Sequence, residues 1–443
     1  MGNFFSRRRD PFDHLYEAMI EEVYSYLPTN DLLTCTLVSK RWGEFIGQSN
    51  KCMKRIPLKF NGDRLISEDD VDVLLSSGRN YSDVSICHFE VSPQMKPIIA
   101  HFQWTTAIIL DVVFRSNFDL INFLGLFEPN VKTLNLSFVR SQTEINSVKN
   151  NFIFPKLEKL LVRNSSRFII KRMFKNCVKL KTLVLLVKWY VKEDDIELAE
   201  GIKNLMLRNP TLKTLHLALD TQIFDEVFTE DLVTNIDFHV KSLKFELFKR
   251  TFSTRNSLAF ENLEVFMLGQ VASIESIDME EWMGMSFLRI IFNDMEKVRQ
   301  VSIKDIHMYS WLEDLDFLEI KPNKSITYLN MYTFVKYDDI FDYILRAVPE
   351  VKTLKLFTMN QKVLDVISAT NRKIENLHVD CIIANTPLVD DVFENLRNFC
   401  CYFFVSKFFK RKIEMKPLER RTRFDKQLLS FVDKRMRLAL AKF

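Results

Sequence analysis

From Val131 onward one pattern, apolar-x-x-apolar-x-apolar, returns along the chain and limits what it can fold into. It opens as Val131-Lys132-Thr133-Leu134-Asn135-Leu136 and recurs from Leu157, Leu180, Leu212, Val240, Leu263, Val298, Ile326, Val351, Ile374 and Leu396, with weaker copies from Tyr81 and Thr105. Four copies, at Val131, Leu180, Leu212 and Val351, share the continuation Lys-Thr-Leu. A helical solenoid would read the first spacing as i, i+3, but the added i, i+2 step sets two large side chains about 200° apart on a helix and on one face of a strand. The pattern therefore reads as strand. Where the intervening segment is clearest, Ile340, Phe341, Ile344, Leu345 and Val348 form a helical stripe that Pro349 ends. One such strand–helix unit cannot enclose a core, whereas a stack of them buries a continuous one.

Successive copies from Val131 start 22 to 35 residues apart, and most of the spacings fall within the roughly 20–29-residue period of leucine-rich repeats. The pattern resembles that family in degenerate form. The resemblance implies an α/β fold in which an irregular solenoid, a horseshoe, occupies residues 81–404. The position that usually carries Asn or Cys holds Val139, Ser165, Lys188, Asp220 and Phe248, so the family's side-chain ladder is missing and irregular coils are expected. Between 263 and 326 the register stays open, because Leu288 and Leu312 compete with Val298 as starts. Residues alternating with the buried ones would line the concave face: Thr133, Asn135, Lys159, Arg163, Thr182, His216, Lys244, Glu246, Tyr328, Asn330, Tyr332, Lys355, Phe357 and His378. Mixed charge with tyrosines suits a protein client, whose identity the sequence does not carry.

The first fifty residues obey a different period. Leu15, Met19, Val23 and Leu27 share one helix face, flanked by Tyr16, Ile20 and Tyr26, and Pro28 stops the helix. Asn30 or Asp31 is placed to cap a second short helix through Val38, and Ser39 begins a third that carries Trp42, Phe45 and Ile46. Three helices this short lack the core volume for independence and must dock on something. The residues Leu15, Val23, Leu27-Pro28, Asp31-Leu32 and Val38-Ser39-Lys40-Arg41-Trp42 resemble an F-box, the motif through which substrate receptors bind the Skp adaptor of cullin-based ubiquitin ligases. Tyr16 and Ala18 stand where that family usually places Pro and an acidic residue. The resemblance implies an F-box at 11–50, a linker or first cap at 51–80, and adaptor contacts from Leu15, Met19, Val23, Leu27, Pro28, Asp31, Leu32, Val38, Ser39, Lys40 and Trp42.

Composition excludes more than it selects. Only 9 glycines occur in 443 residues, which disfavours glycine-dependent phosphate loops. Phenylalanine, at 39, must fill much of the core. The 7 cysteines are odd in number and include no C-x-x-C pair, which argues against a disulfide framework or zinc cluster. No Walker, H-E-x-x-H or G-x-S-x-G motif is present, so neither catalysis nor a cofactor is expected. No apolar run approaches the roughly 20 residues that span a bilayer.

Both ends carry signals of their own. Met1-Gly2-Asn3-Phe4-Phe5-Ser6 fits N-myristoylation at Gly2 with Arg7, Arg8 and Arg9 behind it. A cytoplasmic, membrane-associated location is the expectation, and a membrane-tethered scaffold without a ligase role is the competing reading. Residues 401–443 hold 13 Lys and Arg against 4 Asp and Glu. There Phe424, Leu428, Phe431, Val432, Met436 and Ala439 fall at helical spacing, which suits a basic helix capping the array over 405–443. Acidic lipid is an alternative partner for it, and nucleic acid is not expected.

Overall fold

The fold was analysed in a computed structural model. It describes residues 16–61, 68–76, 81–90, 105–143, 154–165, 169–170, 174, 176–187, 196–248, 258–280, 285–304, 320–332, 338–370, 373–383, 395 and 397–405. These fall into two compact units, the first drawn from 1–238 and 251–259, the second from 239–250 and 260–443.

The first unit opens with helices α1 (Glu17–Ser25), α2 (Thr29–Val38), α3 (Lys40–Gln48) and α4 (Asn50–Met53). Strand β1 (Leu58–Asn61) and helix α5 (Glu68–Ser76) follow, then β2 (Asp83–Glu90), β3 (Ala107–Ser116), α6 (Asn117–Gly125), β4 (Thr133–Ser137), β5 (Arg140–Thr143), β6 (Lys159–Arg163), β7 (Thr182–Leu186), α7 (Ile196–Leu207) and β8 (Thr214–Asp220). Every pairing in this unit is parallel, in the order β1-β2-β3-β4-β6-β7-β8, with β5 beside β3. The weaker copies from Tyr81 and Thr105 are thus strands. So is a copy at Leu58, inside the segment that the sequence reading assigns to linker.

After β8 come α8 (Thr221–Val227) and α9 (Glu230–Asn235). The second unit's strands are β9 (Ser242–Phe248), β10 (Ser276–Glu280), β11 (Gln300–Lys304), β12 (Tyr328–Tyr332), β13 (Thr353–Asn360), β14 (Asn376–Ile383) and β15 (Asn398–Val405), parallel and paired in chain order. Its crossovers carry α10 (Leu258–Gln270), α11 (Met285–Arg289) with a π-helical turn at Ile290–Asp294, α12 (Asp338–Ala347) and α13 (Gln361–Thr370). Leu263 lies within α10 and Leu288 within α11, so the copy of the pattern here starts from Ile274, two residues before β10, and Val298 keeps its place. Leu312 and the expected capping helix beyond Val405 fall outside the described residues.

Strand alternation builds the core. Leu134, Leu136, Leu160, Val162, Leu183, Leu185, Leu215 and Leu217 point one way and are essentially inaccessible, as are Leu243, Ile277, Val301, Leu329, Leu354 and Leu377 in the second unit. Phenylalanines close the space behind them, in ring contacts Phe114–Phe123–Phe127, Phe154–Phe174, Phe224–Phe228 and Phe245–Phe266. Each buried ring contributes roughly 1.5–3 kcal/mol.

A different set of amides replaces the missing ladder. Asn209 accepts from the Leu180 N–H at 2.8 Å and donates to the carbonyls of Cys177 and Leu205. The Gln270 side chain accepts from Val240 N–H at 2.9 Å, and Asn323 donates to the carbonyls of Phe292 and Met295. Ser165, at the degenerate position itself, donates to the Leu136 carbonyl and accepts from Val139 N–H. Each clamp ties a crossover to peptide groups about one copy earlier, giving buried backbone groups the partners they need. The expected irregularity shows at Phe138, Phe154 and Asn164, which hold positive φ, and at the register shift between Cys87 and Phe89.

Candidate functional site

Two faces hold the residues that the sequence singles out. The first is helical. On α1, Ile20 and Tyr24 turn inward and join Leu32, Ile46, Cys52, Met53 and Ile56 in a small core, so α4 and the turn after it complete what three helices could not. The ring of Trp42 packs edge-on against Tyr24 at 5.9 Å, with Phe45 on the same tyrosine at 5.8 Å. Ser39 caps α3, its hydroxyl accepting from the Trp42 N–H at 3.2 Å. Asn30 and Asp31 do not cap α2; the helix begins one turn edge earlier, at Thr29, with Pro28 as its cap residue. Pro pre-sets φ for a helix start and has no N–H to leave unpaired.

Arg55 is a part of this unit that sequence reasoning missed. Its guanidinium donates to the carbonyls of Tyr24, Ser25 and Leu27, at and just beyond the C-terminal end of α1, where helix carbonyls run short of intrahelical partners. A cation there also complements the helix dipole. Only a basic residue some thirty positions downstream marks it in the sequence. Gly43 is needed for close approach: a Cβ there would meet the Thr36 carbonyl oxygen at 3.1 Å, so a side chain would push α3 off α2.

With those groups inward, an apolar surface is left outward. Met19 is 54% exposed and Val23 43%, one turn apart on α1, with Tyr16 and Tyr26 beside them. On α2, Leu37 is 85% and Val38 60% exposed, with Leu33 a turn before. Leu33 and Leu37 are absent from the expected contact set, although their i, i+4 spacing was visible. Of that set, Pro28, Asp31 and Lys40 are exposed and Leu27 is half-buried. Leu32 is fully buried and supports the surface from behind. Leu15 and Gly2 lie outside the described residues. Residues 12–54 match the F-box domain. No curated protein matches the chain. F-box domains bind the Skp adaptor in general and serve non-catalytic adaptor subunits of ubiquitin ligases. The outward α1 and α2 residues are the F-box side chains left unpartnered within their own helical core.

The second face is the side of each sheet opposite the buried leucines. In the first unit Thr133 and Asn135 sit on β4, Lys159 and Arg163 on β6, Thr182 on β7 and His216 on β8. Lys159 and Arg163 are exposed, and the others are half-buried. Val184, which alternation also places here, is only 7% exposed and Ala218 is fully covered, so this stretch is more apolar and more closed than expected. In the second unit Lys244 and Glu246 sit on β9, Tyr328, Asn330 and Tyr332 on β12, Lys355 and Phe357 on β13 and His378 on β14. Glu246 is buried and paired with Lys244 at 2.8 Å. Burial, with the neighbouring Lys355 charge, holds the His378 imidazole below its ordinary value. Among the described residues no helix is long and apolar enough to cross a membrane.

Proposed function

We propose that this chain is the substrate-recognition subunit of a Skp-cullin-F-box ubiquitin ligase, its parallel strand array being a degenerate leucine-rich-repeat solenoid that holds a protein client. The observation that carries the reading is the apolar surface of Met19, Val23, Leu33, Leu37 and Val38, exposed on a helical unit that matches the F-box domain. Side chains of this kind stay in water only at a cost, and a partner helix would remove it. The contribution to catalysis is geometric: binding a client raises its effective concentration near an enzyme held elsewhere in the complex.

Co-purification of the full chain with the Skp adaptor tests this. Leu37→Asp with Val38→Asp is expected to abolish capture without moving the thermal unfolding midpoint, because both side chains are already in solvent. Capture of this double variant at wild-type level would sink the receptor reading. We propose in addition that Gly2 is myristoylated and that Arg7, Arg8 and Arg9 reinforce the tether, since a single acyl chain binds membranes at only about 10⁴ M⁻¹. Intact-mass measurement of protein from eukaryotic cells should find the acyl adduct; a free or acetylated terminus excludes it.

A further inference from the structure

Register aligns Lys244, Asp278, Ser302, Asn330, Lys355 and His378 in one row across β9 to β14. The β9–β11 end of that row is electrically closed. Lys244 bridges Glu246 at 2.8 Å and Asp278 at 3.4 Å, and Lys304 reaches the same Asp278 at 3.7 Å. The polar groups next along are satisfied locally, Asn330 donating to Ser302 at 2.9 Å and Asn376 to Thr353 at 3.2 Å. Lys355 differs. Its ammonium lies 5.6 Å from the centre of the Tyr328 ring, and among the described residues no carboxylate pairs with it. His378 stands beside it on the next strand, and Phe357 lies two residues further along its own.

A cation–π contact fixes an ammonium in place without neutralising it, so its donors remain for an anion. We propose that the Tyr328–Lys355–His378 end of this face binds an acidic peptide segment of the client, a carboxylate seating on Lys355 and its neighbours lying over Tyr328 and Phe357. Charge complementarity selects this occupant. A basic segment would meet a cation that no carboxylate among the described residues compensates, and an apolar one would bury that cation without such a partner. The proposal rests on the receptor reading only in taking the peptide to come from a client.

Fluorescence anisotropy of the full-length protein with a labelled random Glu/Tyr copolymer, and with a Lys/Tyr copolymer of equal length, tests it. The Glu/Tyr polymer should bind and the Lys/Tyr polymer should not. Lys355→Glu is expected to weaken binding about tenfold or more, the scale of one charge-assisted contact, while Lys355→Arg retains it. Lys304→Ala, in the closed end, should change affinity by less than about twofold. Equal binding of the two polymers, an unaffected Lys355→Glu variant, or an equal loss in Lys304→Ala would each overturn the proposal. The Leu37→Asp, Val38→Asp variant should bind the Glu/Tyr polymer normally, so failure of adaptor capture and failure of this site are separable.

Discussion

Arg55 shows how much can rest on one side chain. It meets three carbonyls around the end of α1 through two nitrogens of one planar fork, a geometry that the compact ammonium of lysine does not reproduce. Arg55→Met is expected to destabilise the helical unit by about 1–3 kcal/mol and to speed hydrogen exchange in α1 and the Tyr26–Thr29 turn, with Arg55→Lys recovering only part of the loss. Unchanged exchange there would refute the capping role. Cys177 makes a second case. Burial first, and the Glu128 charge second, push its thiol up to about 12. The thiolate is the reactive form, so Cys177 should stay unmodified by iodoacetamide at pH 8 until denaturant is added, as peptide mass mapping would show.

Among elements, the amide clamps carry the stability that the degenerate repeat position does not. Asn209→Ala leaves the Leu180 N–H and the Cys177 and Leu205 carbonyls bare inside the protein. A loss of about 2–3 kcal/mol is expected, read as a lower urea midpoint with faster exchange in β7 and β8. Asn376→Ala, which removes a half-buried bond to Thr353 and no buried clamp of this kind, should cost less than Asn209→Ala. The strands themselves were legible because a period of two with large apolar residues has no other comfortable solution. The start at Val131 and that at Val351 fall two residues before β4 and β13. The clamps were harder to read: Asn209 and Asn323 each stand five residues before the next strand but Gln270 stands six before it, and each acts on peptide groups a copy away, which no local pattern marks. Leu263 was misplaced for a related reason. Leu263, Phe266 and Met267 satisfy the i, i+3, i+4 spacing of α10, and Phe266 with Leu268 two residues on completes the apolar-x-x-apolar-x-apolar pattern of a strand start. On the helical unit, the motif gave the helices and the outward Met19 and Val23, but burial of Leu32 and the support from Arg55 come from α4 and the turn behind it.

For the whole molecule, charge is arranged to hold register along strand entrances. Glu158 meets Lys181 at 2.9 Å, Glu275 meets Lys241 at 2.7 Å and Glu350 meets Lys373 at 2.6 Å, each pair linking successive copies within one unit. In all three the lysine hydrogen bond is the leading cause of a carboxyl held below its ordinary value of 4.5. A lowered folded value means that the stabilisation is complete above about 4.5 and disappears as pH falls through the folded values. Unfolding midpoints should therefore be level from pH 7 to 5.5 and drop below 4.5. These pairs are solvent-exposed, so 1 M salt at pH 7 should move the midpoint by no more than a few degrees. A large salt effect at neutral pH would show that charge carries more of the fold than the buried leucines and phenylalanines do.

One strand has a practical meaning beyond recognition. Among the described residues β15 pairs with β14 alone, and its sequence, Asn398-Phe399-Cys400-Cys401-Tyr402-Phe403-Phe404-Val405, contains neither charge nor proline. Wherever its outer edge is left bare, a ribbon of that composition is a template for another copy of itself. Polypeptides cut after Val405 should polymerise on storage and stain as cross-β fibrils, and placing a lysine at Tyr402 should slow them.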